Sequence, residues 1–538
     1  MQKTKKLFLY AVIVTLLMTS CGTNIEQPFE TETSTNSEFG TESESVSEKP
    51  SELESDTDSE KPSETEKPSE TEKPSESEKP SESEEPIESE KPSETEKPSE
   101  SEKPSESEKP SESEKPSGSE EPSESEEPSE SEKPSASEEP TEPDDTPDFE
   151  NPIVLEPVTG LRDDFLFGCD MSMLIAQENS GVVYYNEKGE KQDPLLTLAN
   201  NGVNMIRVRV WNNPYDENGR GYGGGNCDTA NAIAIGKRAT NYGMECFIDY
   251  HYSDFWCDPS KQMCPKAWVG MTIAQKEKAI YDYTKESLGQ ILKAGVNVTM
   301  VQIGNEITSG MSGENNWANI STLLKSAGKA VRELSTQYGK DIQIVVHFTN
   351  PEKAGRYAYF AKTLNDYDVD YDVFASSYYS FWHGTLDNLT KVLGDIAKTY
   401  GKKVMVAEIS YAYTYEDGDG HGNTIKQGAW GTFGYDVSVQ GQADCVRDCV
   451  AALAQLGDAA IGVCYWEPAW IPVPDNTGMT RFELWEKHGS GWASSYAAGY
   501  DPKDAGQYYG GSAWDNQALF DFNGKPLPSI EMFEMMKP

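Results

Sequence analysis

The strongest constraint on the fold is a regular alternation between short apolar runs and helical patterns across residues 151–538. Short apolar runs of this kind are typical of strands buried on both faces, as in parallel sheets. An apolar period of about 3.6 residues predicts helices between them. Eight strands separated by helices predict an α/β fold of the (β/α)8 TIM-barrel type. The candidate strands are Phe165–Gly168, Asn204–Val210, Glu245–Tyr250, Val298–Ile303, Ile342–Val346, Val373–Ser376, Lys403–Ala407 and Ala460–Tyr465. The clearest candidate helices are Thr272–Ala294, Ile320–Tyr338, Leu386–Tyr400 and Gln442–Leu456.

A doubly wound open sheet is the competing fold. Such sheets in dinucleotide-binding proteins carry a glycine-rich turn after the first strand, and no such fingerprint follows Phe165–Gly168. A domain spanning 151–538 is also long enough for one barrel with extended loops. The barrel is therefore the preferred prediction.

Residues 1–20 have the composition of an export signal. Lys3, Lys5 and Lys6 precede an apolar stretch that is too short to span a bilayer. The stretch ends in Met-Thr-Ser-Cys, which resembles the lipobox of bacterial lipoproteins and makes Cys21 the expected lipidation site. Met18 departs from the usual leucine, and plain secretion is the alternative. Both interpretations place the mature protein outside the cytoplasm, as a cell-surface lipoprotein or as a secreted protein.

Residues 21–150 are a low-complexity segment of Glu-Lys-Pro-Ser-Glu repeats. Its 45 acidic residues and 11 lysines give a net charge of −34, out of −46 for the whole chain. The segment has almost no aromatic or branched apolar residues, so it cannot bury enough surface to offset the entropy of ordering. We predict a disordered acidic stalk that carries the domain at 151–538, the alternative being a neutral linker. Its negative charge argues against nucleic acid as a partner.

Two candidate strands are followed by a glutamate. Glu306 follows Val298–Ile303, and Glu408 follows Lys403–Ala407. The carboxyl ends of barrel strands meet at one face, so both carboxylates are expected in one cleft. A pair of carboxylates is the minimum apparatus for glycoside hydrolysis, with one as acid/base and the other as nucleophile or base. The alternative is that both are solvated strand ends.

Other strand ends carry residues suited to sugar recognition. Arg207 and Arg209 lie on one face of the second strand by its period of two. Aromatic rings stack on the apolar side of a pyranose, while polar groups bind its hydroxyls. Further residues of these types follow the third strand (249–259), the fifth (His347), the sixth (Tyr378) and the eighth (465–470).

Together these motifs resemble glycoside hydrolase family 53. They are Arg207-x-Arg-Val-Trp, His251-Tyr-Ser-Asp-Phe-Trp-x-Asp-Pro, Ile303-Gly-Asn-Glu306, Glu408-Ile-Ser-Tyr and Tyr465-Trp-Glu-Pro-Ala-Trp, and the resemblance extends over residues 160–538. It implies a retaining endo-β-1,4-galactanase that acts on type I arabinogalactan of the plant cell wall. By position, Glu306 would be the acid/base and Glu408 the nucleophile.

The resemblance also implies roles for substrate-binding residues. Asn305 would hydrogen-bond the sugar 2-hydroxyl, and Arg207 and Tyr378 would keep the nucleophile ionised. A guanidinium near the nucleophile lowers its pKa, which separates the roles of the two carboxyl groups. The other residues implied to line the cleft are His251, Asp254, Trp256, Asp258, Lys261, His347 and Trp466.

A loop after the seventh strand alternates oxygen-bearing residues with glycine. Its members are Asp417, Asp419, His421 and Asn423. Calcium takes several oxygen ligands in flexible geometry, but the spacing is not that of an EF-hand and histidine is unusual for calcium. The residues alone leave open a flexible acidic turn. The resemblance implies a structural calcium ion here, with Ser512 and Asp515 as further ligands.

The predicted domain contains eight cysteines, and no spacing among them matches a structural zinc site. An extracellular location permits disulfides, and Cys257 with Cys264 could close a short loop. Cys445 and Cys449 lie one helical turn apart, which disfavours a mutual disulfide. We expect most of these cysteines to be buried thiols.

Two other functions compete with the galactanase. A β-mannanase or cellulase of the same clan would share the two glutamates, but neither the motif at 251–259 nor the loop at 417–423 would be expected. A non-catalytic carbohydrate-binding adhesin would suit the stalk, but the presence of both Glu306 and Glu408 argues against it. A monomer is the expected state for a tethered barrel.

Overall fold

The computed structural model describes residues 151–428, 434–475 and 477–538. The export signal at 1–20, the lipidation site at Cys21 and the repeat segment at 21–150 lie outside the described residues, and those assignments stay predictions. Among the described residues, no helix combines the length and the apolar character that a membrane span requires.

Eight parallel strands form a closed barrel in chain order, which confirms the predicted TIM barrel. Pairing of the first strand with the last closes it, with Leu166 opposite Gly462. The strands are β1 Leu166–Asp170, β2 Met205–Val210, β3 Glu245–Tyr250, β4 Val298–Ile303, β5 Gln343–Phe348, β6 Val373–Ser377, β7 Lys403–Ile409 and β8 Ala460–Tyr465.

The α-helices lie between and after the strands. They are α1 Leu174–Asn179, α2 Pro194–Asn200, α3 Thr229–Asn241, α4 Ile273–Lys293, α5 Trp317–Tyr338, α6 Arg356–Asp366, α7 Leu386–Tyr400, α8 Val439–Ala454, α9 Arg481–His488, α10 Ala505–Tyr508 and α11 Met532–Met535. Local sequence motifs determine where several of these helices begin or end. Thr272 and Gln275 form a capping box that begins α4, and Gly339 and Gly401 adopt left-handed backbone after α5 and α7.

Continuous burial explains why the strands are apolar runs and not alternating ones. Every residue of β2 and β8 is buried, because the outer face packs on helices and the inner face on the barrel interior. An inner layer of apolar side chains fills the barrel below the site, namely Met205, Phe247, Met300, Val345, Val373, Ala375, Met405, Ala407, Ile461 and Cys464. Gly168 is needed beside this layer, since a Cβ there would lie 2.5 Å from Cys464 Sγ.

The predicted elements are close to the observed ones. Glu245–Tyr250, Val298–Ile303 and Ala460–Tyr465 have the same bounds in the structure. Strand β7 continues two residues beyond the predicted end and includes Glu408, because its register against β8 shifts and pairing resumes at Ile409.

The eight cysteines of the described residues are free thiols, and seven of them are buried. The possible disulfide between Cys257 and Cys264 is therefore wrong. The Cys257 thiol contacts the His251 carbonyl oxygen at 3.5 Å inside the fold, whereas Cys264 is only partly buried.

Candidate active site

Arg207 occupies the centre of a polar layer at the carboxyl ends of the strands. It is completely buried because its position on β2 points into the barrel. The guanidinium forms ion pairs with Asp170 on β1 (3.0 Å), Asp249 on β3 (2.8 Å) and Glu408 on β7 (2.9 Å). It also donates to Asn305 Oδ1 at 3.0 Å. One cation thus joins four strand ends, and a charge-assisted contact fixes each partner.

Glu408 is the buried carboxylate that touches this cation. Its Oε1 accepts from Arg207, and its Oε2 accepts a hydrogen bond from Tyr379 Oη at 3.1 Å. Burial raises the pKa of Glu408, and the ion pair with Arg207 opposes that rise. Two fixed donors therefore stabilise the ionised form and aim the carboxylate.

Glu306 has different neighbours. Its Oε1 lies 2.6 Å from Ser377 Oγ. Burial raises the pKa of Glu306 well above its usual range, and the negative charge of Glu408 raises it further. Glu306 is therefore the group that keeps a proton when Glu408 has lost its own.

The backbone around Glu306 leaves the barrel in an uncommon conformation. Glu306 has φ of 44°, in the left-handed region, and Gly304 before it has φ of 114°. Gln262, from the loop after β3, donates its side-chain amide to the carbonyl oxygens of Asn305 (2.8 Å) and Glu306 (3.1 Å). Gln262 thereby holds the strained turn that presents Glu306 to the cleft. No sequence pattern identified this residue, because its role depends on a loop conformation.

The structure corrects the role predicted for Tyr378. Its hydroxyl donates to the Gly384 carbonyl at 2.9 Å, away from the nucleophile, and Tyr379 makes the contact with Glu408. The register of β6 against β7 shifts between Ser376 and Ser377, which changes the alternation of side chains that follows. Two adjacent tyrosines were visible in the sequence, but the shift that selects the second was not.

His251 and His347 are also corrected, because both lie below the cleft and do not line it. Each is at most 1% exposed. His251 Nε2 lies 3.1 Å from Asp249 Oδ2, and His251 Nδ1 accepts from the Cys257 backbone N–H. Both rings belong to a supporting layer under the groups that face the cleft.

Asp254 and Lys261 hold loops in place. Asp254 is buried and accepts from the backbone N–H groups of Asn213 and Lys266, so the predicted position in the cleft lining is wrong for this residue. The Lys261 ammonium lies 2.8 Å from Asp501 and 2.7 Å from Asp504, which joins the loop after β3 to the segment after β8.

Asp258 stays near the site. It is partly exposed, and its negative charge contributes to the raised pKa of Glu306. Its own carboxylate accepts from the backbone N–H and the hydroxyl of Ser260. The turn that follows, from Asp258 to Lys261, is closed by reciprocal backbone hydrogen bonds and precedes Gln262 directly.

Four tryptophans form an aromatic row, which we define as Trp256, Trp466, Trp514 and Trp382. Successive ring centroids lie 6.2, 5.2 and 5.8 Å apart. Trp256 and Trp466 are partly exposed, as expected for rings that contact a ligand, and Trp382 is 41% exposed. Trp256 and Trp466 were predicted from the sequence. Trp514, which lies between the predicted metal ligands Ser512 and Asp515, and Trp382, which follows Tyr378 in the loop after β6, were missed because their direction depends on loop conformation.

A second buried ion pair supports the row. Arg209 lies 2.7 Å from Glu467, and its guanidinium stacks over the Trp256 ring at 4.2 Å. Glu467 has φ of 49°, immediately after Trp466. Glu467 and Asp170 were missed as site residues, although both stand at strand ends, where the alternation of β1 and β8 could have identified them.

The predicted metal ligands come together between the loops after β7 and β8. Carboxylate oxygens of Asp417, Asp419 and Asp515 lie within 4.8 Å of one another. Burial, together with the negative charge of neighbouring carboxylates, raises the pKa of Asp419 to about 6 and that of Asp515 to about 8. Asn423 donates to Asp515 Oδ1 at 2.6 Å, while its own Oδ1 is buried without a hydrogen-bond partner among the described residues.

These residues fit a hard cation, because clustered carboxylates and an unpartnered amide oxygen are ligands that calcium prefers. The other two predicted ligands are adjacent. The backbone N–H of Ser512 donates to Asp419 Oδ2, and the Ser512 hydroxyl accepts from Trp514 N–H. The His421 ring lies against Gly510, where a Cβ would approach Nδ1 to 2.5 Å. Gly510 therefore makes room for the imidazole beside the carboxylates.

Comparison with known proteins agrees with this geometry. Residues 166–533 match the family model described as Glycosyl hydrolase family 53. An endo-β-1,4-galactanase of Bacillus subtilis is 57% identical over 383 residues, which cover 71% of this chain and 88% of the relative. An arabinogalactan endo-β-1,4-galactanase of Cellvibrio japonicus is 34% identical over 394 residues, which cover 70% and 93%.

A solved structure supports the same assignment. The GH53 catalytic domain of Ignisphaera aggregans matches with a TM-score of 0.63 at 39% identity, over 72% of this chain and 100% of that one. The same family is indicated by the fold, by the paired glutamates at the ends of β4 and β7, and by these similarities. The chain belongs to glycosyl hydrolase family 53.

Proposed function

We propose that the chain cleaves internal β-1,4-galactosidic bonds of plant cell-wall galactan, with retention of configuration, by double displacement. The observation that carries the proposal is the difference between the two glutamates. Glu408 contacts a guanidinium and a phenol, whereas Glu306 contacts a hydroxyl and has the more strongly raised pKa. One carboxyl group is thereby suited to act as nucleophile and the other as acid.

In the first step, a carboxylate oxygen of Glu408 attacks the anomeric carbon while the bond to the leaving oxygen breaks. Glu306 transfers its proton to that oxygen, so the leaving chain departs as a neutral alcohol. Arg207 and Tyr379 aim the attacking carboxylate. Asn305, held by Arg207 and by the Cys257 carbonyl, has the fixed orientation needed to bind the 2-hydroxyl.

In the second step, the carboxylate of Glu306 removes a proton from water, whose oxygen attacks the anomeric carbon and releases Glu408. Esterification has by then removed the negative charge of Glu408 that raised the pKa of Glu306. Glu306 recovers its proton and the enzyme returns to its starting state.

Endo-acting cleavage of a polymer is supported by the aromatic row. All four tryptophans are at least partly exposed, so more than one ring is available to stack on the apolar side of a pyranose. The relatives from Bacillus subtilis and Cellvibrio japonicus bear names that state β-1,4-galactanase activity. We therefore take galactan as the substrate in preference to mannan or cellulose.

The direct test measures new reducing ends when the protein is incubated with linear β-1,4-galactan, β-mannan or carboxymethyl cellulose. Release of short galacto-oligosaccharides is expected with galactan alone, and none is expected from the Glu408→Gln variant. Activity confined to mannan or cellulose would contradict the substrate. Galactan binding without cleavage would favour the adhesin.

We further propose that Asp417, Asp419, His421, Asn423, Ser512 and Asp515 surround a structural calcium ion. Its positive charge would compensate the carboxylates of Asp419 and Asp515, whose pKa values lie above those of an unfolded chain. The ion would join the loops after β7 and β8, next to Trp514 in the aromatic row, and would take no part in the chemistry.

The pH dependence of stability tests this metal site. Without metal, the folded state binds more protons than the unfolded state between about pH 4 and pH 8, so stability should fall as pH rises through this window. Added calcium should therefore raise Tm more at pH 8 than at pH 5, and an Asp515→Asn variant should lose most of this gain. Equal gains at both pH values, or a gain that Asp515→Asn retains, would contradict the site.

We also propose that the protein is a cell-surface lipoprotein that carries its barrel on the acidic stalk. The lipobox-like sequence before Cys21 supports this location. Labelling of cells with a radioactive fatty acid should mark the wild type and leave the Cys21→Ala variant unlabelled. Unlabelled wild-type protein in the culture medium would indicate plain secretion instead.

A further inference from the structure

A row of four hydrogen-bonded side chains leads from the acid/base into the barrel. It comprises Glu306, Ser377, His347 and Asn305, and we call it the proton-holding row. Glu306 Oε1 lies 2.6 Å from Ser377 Oγ, Ser377 Oγ lies 2.9 Å from His347 Nε2, and His347 Nδ1 lies 2.8 Å from Asn305 Oδ1. Ser377 and His347 have no solvent-exposed surface. The side chains of Ser377 and His347 must therefore form their hydrogen bonds with protein groups and not with bulk water.

The side-chain amide of Asn305, at the inner end of the row, has only one orientation that satisfies its neighbours. Asn305 Oδ1 faces Arg207 at 3.0 Å and Gln302 Nε2 at 2.9 Å, and Asn305 Nδ2 faces the Cys257 carbonyl at 2.9 Å. A guanidinium carries donors only, and a carbonyl oxygen only accepts. Reversing the Asn305 amide would set donors against donors and an acceptor against an acceptor. Asn305 therefore presents an oxygen to His347.

The orientation of the Asn305 amide determines which ring nitrogen of His347 carries the proton. Burial lowers the pKa of His347 well below its usual range, and the charge of Arg207 lowers it further, so the ring is neutral. A neutral imidazole has one N–H, and Asn305 Oδ1 requires it at Nδ1. His347 Nε2 is then an acceptor and takes the only proton of the Ser377 hydroxyl. The Ser377 oxygen can then only accept a hydrogen bond, and the donor is the O–H of protonated Glu306, whereas toward an ionised Glu306 the Ser377 hydroxyl would itself have to donate.

We propose that Ser377 and His347 are positioning residues that hold the proton of Glu306 in the resting enzyme. The proposal rests on the acid/base role given to Glu306 under the proposed function. His347 was expected to line the cleft, and in this proposal it acts on Glu306 through Ser377 without touching the substrate. The proposal also explains why Glu306 contacts the Ser377 hydroxyl, whereas Glu408 contacts the Arg207 guanidinium: a nearby cation would favour loss of the Glu306 proton.

Loss of the proton from Glu306 disturbs the row. If Ser377 turns its hydroxyl toward the new carboxylate, His347 Nε2 faces a lone pair of the Ser377 oxygen. If the proton of His347 moves to Nε2, Nδ1 faces Asn305 Oδ1 as acceptor against acceptor. Either way one hydrogen bond is lost, which makes the carboxylate of Glu306 readier to recover a proton from water in the second step.

Other ionisable groups face Glu306 or His347 from the surrounding elements. They are Arg207 on β2, Asp249 and His251 on β3, Asp258 in the following loop, Tyr357 on α6, Tyr379 and His383 after β6, and Glu408 on β7. These groups act on Glu306 through charge and burial. The row acts through hydrogen-bond direction, and the tautomer of His347 reports that direction separately.

The test is the 15N NMR spectrum of histidine side chains in the whole protein without substrate. The chain has five histidines, so a His347→Gln variant assigns the resonances of interest. At a pH below the titration of Glu306, Nδ1 should be protonated and Nε2 bare. An Nε2–H tautomer there would overturn the proposal, because Ser377 would then accept from His347 and donate to the carboxyl group of Glu306.

A kinetic measurement tests the same row independently. His347→Phe frees the Ser377 hydroxyl to donate to the carboxylate of Glu306, which should lower the pKa of that group. The alkaline limb of kcat/KM should therefore move to lower pH by about 0.5–1 unit, an effect comparable to one hydrogen bond. The control is Ser376→Ala on the same strand, whose hydroxyl contacts Tyr357 and the Ser377 backbone carbonyl but none of the four side chains of the row. An unchanged limb, or a move to higher pH, would overturn the proposal.

The two proposals can fail separately. An Nδ1–H tautomer in a protein that does not cleave galactan would uphold the row and contradict the proposed function. Galactan cleavage with an Nε2–H tautomer would do the reverse. The wild-type spectrum decides the tautomer even where His347→Phe does not fold.

Discussion

The two glutamates at the rim of the barrel have the same side chain and comparable burial, but their neighbours differ. Glu408 lies between a guanidinium and a phenol, each a donor that stabilises a carboxylate. Glu306 lies against a hydroxyl, on a backbone turn with positive φ. Neighbouring groups, and not residue type, therefore divide the roles of nucleophile and acid between these two carboxyl groups.

Removing the nucleophile should give the largest effect. Glu408→Gln keeps the size of the side chain and removes the attacking carboxylate, so kcat on galactan should fall by on the order of 10⁴-fold or more. Circular dichroism should match the wild type, because the Gln oxygen can still accept from Arg207 while its amide N–H donates to the Tyr379 hydroxyl, which can turn to accept. A loss of less than about 100-fold would remove Glu408 from the nucleophile role.

Removing the acid should give a smaller effect that depends on the substrate. Glu306→Gln should lower kcat/KM on galactan by about 10²–10⁴-fold. The loss should be much smaller for a dinitrophenyl galactobioside, whose leaving group needs no proton. The alkaline limb of the pH profile should disappear, since it reports the loss of the Glu306 proton. Equal losses on both substrates would contradict acid catalysis by Glu306.

The two adjacent tyrosines provide a matched pair. Tyr379→Phe removes a donor to Glu408 and should lower kcat by about 10–100-fold, as expected for a hydrogen bond to a charged group. Tyr378→Phe, whose hydroxyl donates to the Gly384 carbonyl, should leave kcat within about twofold. Steady-state kinetics of both variants on galactan provide the comparison. A larger kcat loss in Tyr378→Phe would restore the role first predicted for that residue.

The smallest effect is expected at the turn that carries the acid. Gln262→Met keeps the length of the side chain but removes the donors to the Asn305 and Glu306 carbonyls. We expect kcat on galactan to fall by about 3–10-fold, comparable to one hydrogen bond. Activity on the dinitrophenyl substrate should change less, because only the placement of the acid is altered. Ser260→Ala in the same loop is the control, and an equal fall in that variant would assign the effect to the loop as a whole.

The sequence was sufficient to predict the barrel and the two glutamates because both depend on local patterns. Buried parallel strands are continuous apolar runs, and their carboxyl ends collect at one face whatever the loops do. Glu306 and Glu408 could therefore be placed without coordinates. The same pattern found Arg207, whose direction into the barrel follows from the period of two.

The remaining assignments depended on geometry that a sequence does not display. The register shift in β6 transfers the contact with Glu408 from Tyr378 to Tyr379. His347 was assigned to the cleft by its position at a strand end, yet its side chain lies a layer deeper. Gln262 and Trp514 reach the site through loop conformations, which carry no periodic signal in the sequence.

Glu408 is expected to form the covalent bond to the sugar, while Glu306 supplies the proton to the leaving group. Incubation with a dinitrophenyl 2-deoxy-2-fluoro galactobioside slows the second step more than formation of the glycosyl-enzyme and should trap that intermediate. Peptide mass spectrometry should then find the sugar on Glu408, and the Glu408→Gln variant should stay unlabelled. A label on Glu306, or rapid hydrolysis to an inverted product with no labelled peptide, would contradict the account.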